Sequence, residues 1–179
     1  MVNVINGDKM KKITILGLAL FLTLTFLVGC SLSNTPTSQV ENLFSKYQKV
    51  DKDIDDDIEE MLQEETLTNE QKERYRKILE NQYKNLTYEI KDEIIDGETA
   101  TVVVQIEVLD FKKAINSLNS QNDINFDILE YTNKKLDILE NTKDKVVYTL
   151  NINVAKDNDG NWKILSLSNE NIKKIQGMY

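Results

Sequence analysis

The spacing of apolar positions divides the chain into helices followed by strands. Apolar residues recur three or four positions apart in three successive segments, which predicts three amphipathic helices. Their apolar stripes are Val40, Leu43, Phe44, Tyr47 and Val50; Ile54, Ile58, Met61 and Leu62; and Tyr75, Ile78, Leu79, Tyr83 and Leu86. Thr35-Pro36 predicts the start of the first helix, and Thr68 with Gln71 predicts a capping box at the start of the third.

From Tyr88 onward the apolar period changes to two, which predicts β-structure. Tyr88, Ile90 and Ile94 precede the tight-turn dipeptide Asp96-Gly97. Beyond this turn, apolar residues occupy every second position from Ala100 to Val108: Ala100, Val102, Val104, Ile106 and Val108. The pattern predicts a long antiparallel hairpin with one apolar face.

A second hairpin is predicted near the C-terminus. Apolar residues alternate from Val146 to Val154, a turn is expected at 157–161, and Trp162, Ile164 and Leu167 are expected in the last strand. Segment 110–142 has helical spacing and is predicted to be a helical insertion between the two hairpins, while 169–177 is expected to form a short closing helix. The fold class is therefore α+β, with N-terminal helices packed on a curved antiparallel sheet.

The first thirty residues have the pattern of an export signal. Lys9, Lys11 and Lys12 precede an apolar run over 13–28, which is about 16 residues long and short of the roughly 20 needed to span a bilayer. Met10 is an alternative start to Met1, because it directly precedes Lys11-Lys12 and opens a more usual leader. A cleaved signal is therefore favoured over a permanent membrane span.

The end of this run, Leu27-Val28-Gly29-Cys30, resembles the lipobox of bacterial lipoproteins. The resemblance implies that the leader 1–29 is removed and that Cys30 carries a diacylglycerol lipid. Residues 30–37 would then be the lipidated cysteine with a flexible tether, and 38–179 the folded domain. Two acyl chains anchor stably, so no second membrane signal is required. The alternative for Cys30 is a buried cysteine at the end of an apolar segment.

The order of helices and hairpins, with Gly160-Asn161-Trp162-Lys163-Ile164 in the last hairpin, resembles the NTF2-like (cystatin-like cone) superfamily. The similarity is to small extracytoplasmic lipoproteins of uncharacterised function, and it covers residues 36–168. It implies a bent sheet folded against a helix, with a cone that is either a ligand pocket or a plugged core. The superfamily includes isomerases, dehydratases and many non-enzymes, so the fold alone does not assign an activity.

Composition removes several classes of function. The chain has no His and one Cys, which excludes histidine-dependent nucleophiles, an internal disulfide and His-ligated metals. Loss of 1–29 removes three of the 22 basic residues and one of the 30 acidic ones, so the formal charge falls from −8 to −10. A domain with this negative charge would gain no counterion-release free energy from binding a polyanion, so nucleic acid is rejected as a partner.

Two groups of polar residues are candidates for metal sites. The acidic run from Asp51 to Glu59 lacks the Gly and Glu that an EF-hand needs, because Asp56 and Leu62 stand at those positions; we interpret it as a solvated helix face and predict no metal. Asp157, Asp159 and Asn161 are interpreted as a turn around Gly160.

Tyr47, Tyr148 and Trp162 are candidates for the lining of a pocket or for the core. Aromatic residues at period-matched positions more often belong to the core, and no catalytic residue is predicted. A ketosteroid-isomerase-like site, with a carboxylate base and a tyrosine in the cone, is the enzymatic alternative.

The expected function is that of a non-catalytic binding or interaction module, lipid-anchored to the cell membrane and facing outside the cytoplasm. Its partner would be a small apolar ligand or a cell-envelope protein, and no cofactor is expected apart from the covalent lipid. The other alternative is an accessory structural subunit of an envelope complex that docks through the insertion. A cavity in the cone would favour a small ligand, and an apolar patch on 111–139 would favour a protein partner.

Overall fold

The computed structural model describes residues 34–119 and 127–179. The leader and the lipobox residues Leu27, Val28, Gly29 and Cys30 lie outside the described residues, as does segment 120–126 of the insertion. The described chain is a mixed α+β structure of six helices and one four-stranded antiparallel sheet. None of its helices is long and apolar enough to cross a membrane.

The described helices occur in three sets that are separated by pairs of strands. Helices α1 (Pro36–Lys49), α2 (Lys52–Glu64) and α3 (Asn69–Lys84) come first and are followed by strands β1 (Thr87–Asp96) and β2 (Thr99–Leu109). Helices α4 (Phe111–Asn119) and α5 (Ile128–Asn141) form the insertion. Strands β3 (Lys145–Lys156) and β4 (Trp162–Ile164) and helix α6 (Asn169–Ile175) complete the chain.

Local capping explains where the first helices begin. Thr35 accepts a hydrogen bond from the amide of Ser38, whose hydroxyl in turn receives one from the amide of Thr35. Thr68 and Gln71 form the equivalent reciprocal pair at the start of α3, so both predicted helix starts are confirmed. Residues 35–37, which we expected in the flexible tether, belong instead to this cap and to the first turn of α1, and Asn34 binds the backbone of Trp162.

The sheet runs in chain order, β1-β2-β3-β4, and one of its faces is covered by helices. Helix α1 lies across this face and contacts all four strands. The central strands present fully buried side chains toward it, so the interior between sheet and α1 is filled: Val102, Val104, Ile106, Leu150 and Val154. This close packing supplies most of the apolar burial that stabilises the domain.

A β-bulge in β1 reverses the expected orientation of Ile94. The pairing shifts between Ile90 and Asp92, so Ile94 lies opposite Thr101 on the open sheet face rather than beside Tyr88 and Ile90. Ile94 is consequently 57% exposed.

The same shift brings Glu93 to the helix side of the sheet. The Glu93 carboxylate accepts hydrogen bonds from the amide and hydroxyl of Thr37, at 2.9 and 2.6 Å. A negative charge is favourable there, at the N-terminus of α1.

The last strand is shorter than predicted, because the chain leaves the sheet to start α6. Strand β4 ends at Ile164, whereas the expectation extended it to Leu167. Ser168 caps α6 by accepting from the amide of Asn171, and this geometry requires the preceding residues to turn away from the ladder. The turn before β4 is confirmed: Gly160 has φ +79°, and Asp157 accepts from the amides of Asp159 and Asn161.

The end of β2 is completed by a side chain instead of a strand. Gln82 is 1% exposed, and its amide group donates to the carbonyl of Leu109 and accepts from the amide of Leu109, each at 3.0 Å. Strand β1 begins opposite Glu107, so Leu109 extends past it and has no strand partner on that side. Gly177, at φ +70°, packs directly against this pair.

Candidate functional site

A groove of about 610 Å³ lies between the helices on the side of the domain formed by α1, α2 and α6. Its apolar lining comes mainly from one face of each helix: Leu43 and Tyr47 of α1, Ile54, Ile58 and Met61 of α2, and Ile172 of α6. Tyr83 and Leu167 complete it. No residue of the four strands lines this groove, so it differs from the cone interior that the sequence pointed to.

Tyr47 and Tyr83 are buried polar residues of the groove. Tyr47 is 8% exposed, and its ring packs edge to face on Tyr83 with centroids 5.0 Å apart. Burial, together with the nearby Tyr83 and Asp57, raises the pKa of Tyr47 well above its usual value, so the phenol is neutral. Burial likewise raises the pKa of Tyr83 to about 12.

The two hydroxyl groups have different neighbours. The side chain of Gln176 lies beside Tyr83, where it acts to lower the pKa of that phenol, and the Gln176 amide nitrogen lies 3.6 Å from Sδ of Met61. The Tyr47 hydroxyl has no hydrogen-bond partner among the described residues. Every fully buried polar side-chain atom in those residues does have a partner, so the Tyr47 oxygen must reach the accessible surface, which here is the groove.

The rim of the groove along α2 is acidic. Asp53, Asp57, Glu60 and Glu64 all border it, together with one cation, Lys46. Lys46 binds Asp53 at 2.5 Å, and this hydrogen bond lowers the pKa of Asp53 and raises that of Lys46. Partial burial, reinforced by Glu60 and neighbouring aspartates, raises the pKa of Asp57 above its ordinary value.

Of the three residues proposed from the sequence, only Tyr47 lines this groove. Trp162 is 8% exposed and belongs to the same core cluster as Phe44 and Tyr47, with the Lys156 ammonium 5.2 Å from its ring centroid. Its backbone amide and carbonyl are bound by the side chain of Asn34. The core interpretation of Trp162 is thus confirmed.

Tyr148 lies elsewhere, at the C-terminal end of the chain. Its ring packs edge to face on Tyr179 at 5.9 Å, and its hydroxyl donates to the backbone oxygen of Tyr179 at 3.0 Å. It is half-buried, lies opposite Ile106 in the sheet and packs against the core cluster that contains Tyr47 and Trp162, but it does not line the groove. Tyr47, Tyr148 and Trp162 thus contact one core, and only Tyr47 reaches the groove.

The acidic run of α2 is distributed over the helix surface. Asp51 caps the helix by accepting from the amide of Ile54, and Asp55 and Glu59 both bind Arg76 of α3. No three carboxylates in the described part of the chain are placed to hold a metal ion. Sequence reasoning missed a second group of carboxylates on α2, namely Asp57, Glu60 and Glu64, which border the groove and whose spacing places them on one helix face.

The insertion carries an exposed apolar patch at the start of α5. Ile128, Leu129 and Tyr131 are 82%, 53% and 37% exposed. The rest of α5 is held against α3 and α4 by a second core cluster: Ile78, Phe111, Leu136 and Leu139. Arg74 of α3 also binds Glu140 at 2.8 Å and Asp137 at 2.6 Å.

Comparison of the chain with protein families, with curated proteins and with solved structures gave no match.

Proposed function

We propose that this chain is a lipoprotein, anchored by a diacylglycerol on Cys30 at the outer face of the cell membrane, whose domain is a non-catalytic binding module for a small apolar molecule. The observation that carries the proposal is the groove between α1, α2 and α6, where the hydroxyl of Tyr47 has no hydrogen-bond partner among residues 34–119 and 127–179. Its volume of about 610 Å³ falls within the range of small-molecule sites.

The NTF2-like cone is part of the same proposal. It is supported by the position of α1 across a four-stranded antiparallel sheet and by the bulge near Lys91, since a bulge bends its strand. In this proposal the cone is plugged, because side chains of β2 and β3 fill the space beneath α1. The proposed binding site is therefore the groove between the helices, outside the cone.

We prefer the binding function to the isomerase-like alternative because the cavity lies between the helices and not inside the cone. An isomerase of this kind needs a carboxylate and a tyrosine in an enclosed apolar cone. Here the cone-side residues Val102, Val104 and Ile106 have no exposed surface, and the carboxylates of the groove stand on its open rim. The acidic surface also argues against nucleic acid as a partner.

Binding can be tested with a small apolar probe. The full chain in nanodiscs of zwitterionic lipid is titrated with 4-phenylbutanol, and empty nanodiscs supply the blank. Ile172→Trp replaces a branched aliphatic side chain of the groove with a bulky indole ring and should abolish binding. Leu165→Trp is the matched control, because Leu165 is half exposed and lies outside the groove, and it should bind like the wild type. Equal binding by both variants, or none by the wild type, would refute the proposed site.

The anchor is tested separately. Metabolic labelling with a palmitate analogue should label the wild type and not Cys30→Ser, because only the thiol can form the thioether. Equal label in both proteins would refute lipidation at Cys30 and leave the groove proposal unaffected.

The exposed patch of the insertion supports a second candidate function, docking to another envelope protein. Ile128 and Leu129 are exposed large apolar side chains on adjacent positions of α5. Replacing both with Glu should leave thermal stability unchanged, since surface substitutions cost little, and should abolish a cross-link formed at α5 in intact cells. An unchanged cross-link, or no cross-link in the wild type, would refute this function.

A further inference from the structure

We infer that the ligand of the groove is an organic cation: an apolar body on the floor between α1, α2 and α6, with an ammonium group held by Asp57, Glu60 and the Tyr47 hydroxyl. This inference rests on the proposed binding function and specifies the chemical class of the ligand.

The first argument is the distribution of counter-charges along α2. Four acidic residues of the helix are each bound by a cation: Asp53 by Lys46, Asp55 and Glu59 by Arg76, and Asp56 by Lys52. The other three, Asp57, Glu60 and Glu64, all border the groove and have no Lys or Arg within 4 Å among the described residues. The carboxylates of this helix that lack a bound cation there are thus all at the groove.

The second argument is the partnerless hydroxyl of Tyr47. The Tyr47 residue is 8% exposed and its oxygen is accessible only from the groove; it has no hydrogen-bond partner in the described part of the chain, although it lies close to Asp57. A phenol oxygen accepts a hydrogen bond from an ammonium group, and its O–H can still donate to a carboxylate. An ammonium placed between Tyr47 and Asp57 satisfies both groups.

The third argument concerns which ligands the groove would reject. An anion with the same apolar body would meet three uncompensated carboxylates and would be repelled, while a neutral molecule would gain only the contact with the floor. Opposite charges a few ångströms apart near a protein surface strengthen binding by about tenfold or more, and salt weakens this part of the affinity. The groove therefore selects by charge as well as by shape.

The test uses three probes with one apolar body: 4-phenylbutylammonium, 4-phenylbutanol and 4-phenylbutyrate. Each is titrated into the full chain in zwitterionic nanodiscs, with empty nanodiscs as blank. We expect the cation to bind about tenfold more tightly than the alcohol at low salt, and the anion to bind most weakly. High salt should remove most of the advantage of the cation and leave the affinity of the alcohol unchanged.

Two neighbouring residues of α2 provide matched variants. Asp57→Asn should weaken the cation about threefold to tenfold and leave the alcohol unchanged, while Asp56→Asn should change neither, because Asp56 does not border the groove. Tyr47→Phe should weaken the cation and the alcohol, since each loses a hydrogen bond to the phenol.

The outcomes separate this inference from the function on which it rests. Equal affinity for cation and alcohol, or equal effects of Asp57→Asn and Asp56→Asn, would overturn the inference and leave an apolar binding groove. Failure of all three probes to bind would overturn both.

Discussion

The side chain of Gln82 makes the two hydrogen bonds to Leu109 that a neighbouring strand would otherwise make. Replacing Gln82 tests how much these two bonds contribute to the free energy of unfolding. Gln82→Met keeps a side chain of similar length and volume but removes both polar atoms of the amide. The amide and carbonyl of Leu109 on that side would then lose their partners in a site where Gln82 is 1% exposed. A buried backbone group without a partner costs about 1 to 3 kcal/mol, so the variant should lose about 2 to 6 kcal/mol of unfolding free energy.

Such a loss is a large share of the roughly 5 to 15 kcal/mol by which domains are stable. Gln48→Met is the matched control, because half-buried Gln48 makes one bond of the same type, from its amide nitrogen to the carbonyl of Leu86 at 2.9 Å. Its expected cost is about 1 kcal/mol.

Urea unfolding followed by Trp162 fluorescence measures both variants, and amide hydrogen exchange of Leu109 reports the local bond directly. If Gln82→Met costs no more than Gln48→Met, or if the Leu109 amide keeps its wild-type protection, the argument from buried backbone groups is wrong.

Three further perturbations test other parts of the fold. Trp162→Ala should cost about 3 to 5 kcal/mol in urea unfolding, because it empties a buried aromatic site; a loss under about 1 kcal/mol would contradict the core role. Gly177→Ala should lower the melting temperature, because its Cβ would lie 2.0 Å from the carbonyl oxygen of Leu109 and its φ of +70° disfavours Ala; an unchanged melting temperature would contradict this. Arg74 lowers the pKa of Glu140, so the stability from this pair is present at neutral pH and is lost as the pH falls below the ordinary Glu pKa of about 4.3 and through the lower folded-state pKa. The protection of the α5 amides, taken relative to their intrinsic exchange rates at each pH, should therefore fall on acidification in the wild type and already be reduced at pH 7 in Arg74→Met; equal α5 protection in the two proteins at pH 7 would contradict it.

The helices and the long hairpin could be predicted because each follows from local chemistry. The apolar spacing of α1 and α3 and their Thr caps act within a few residues, and the Gly160 turn depends only on its own φ and the Asp157 side chain. Signals of this range can be read from sequence without knowing the neighbouring elements.

The orientation of Ile94 could not be predicted, because alternation alone does not indicate where a strand carries an extra residue. Tyr88, Ile90 and Ile94 fit a period of two, and the bulge between Ile90 and Asp92 breaks that period in space without marking it in the sequence. The end of β4 was missed for a related reason: Leu167 is apolar and fits the core, yet it lines the groove after the chain has left the sheet.

The groove itself could not be predicted, since it depends on how three helices distant in sequence are arranged. Tyr47 was identified as a residue of either core or pocket, and the structure places it at the boundary of the two. The sequence analysis interpreted the acidic run of α2 as a solvated face and did not single out Asp57, Glu60 and Glu64, because only the positions of Arg76, Lys46 and Lys52 distinguish neutralised from unpaired charges.

Helix α6 has a consequence for the order in which the protein becomes functional during synthesis. Its seven residues are too few to be stable alone, and Ile175, Asn171 and the carbonyl of Gly177 hold it to the rest of the domain. The residues that contribute the sheet and helices α1 to α3 are all translated before this wall of the groove. A nascent chain interrupted before Asn169 would carry all four strands but would lack Ile172 and Gln176, so the proposed groove is complete only after both of these residues have been translated.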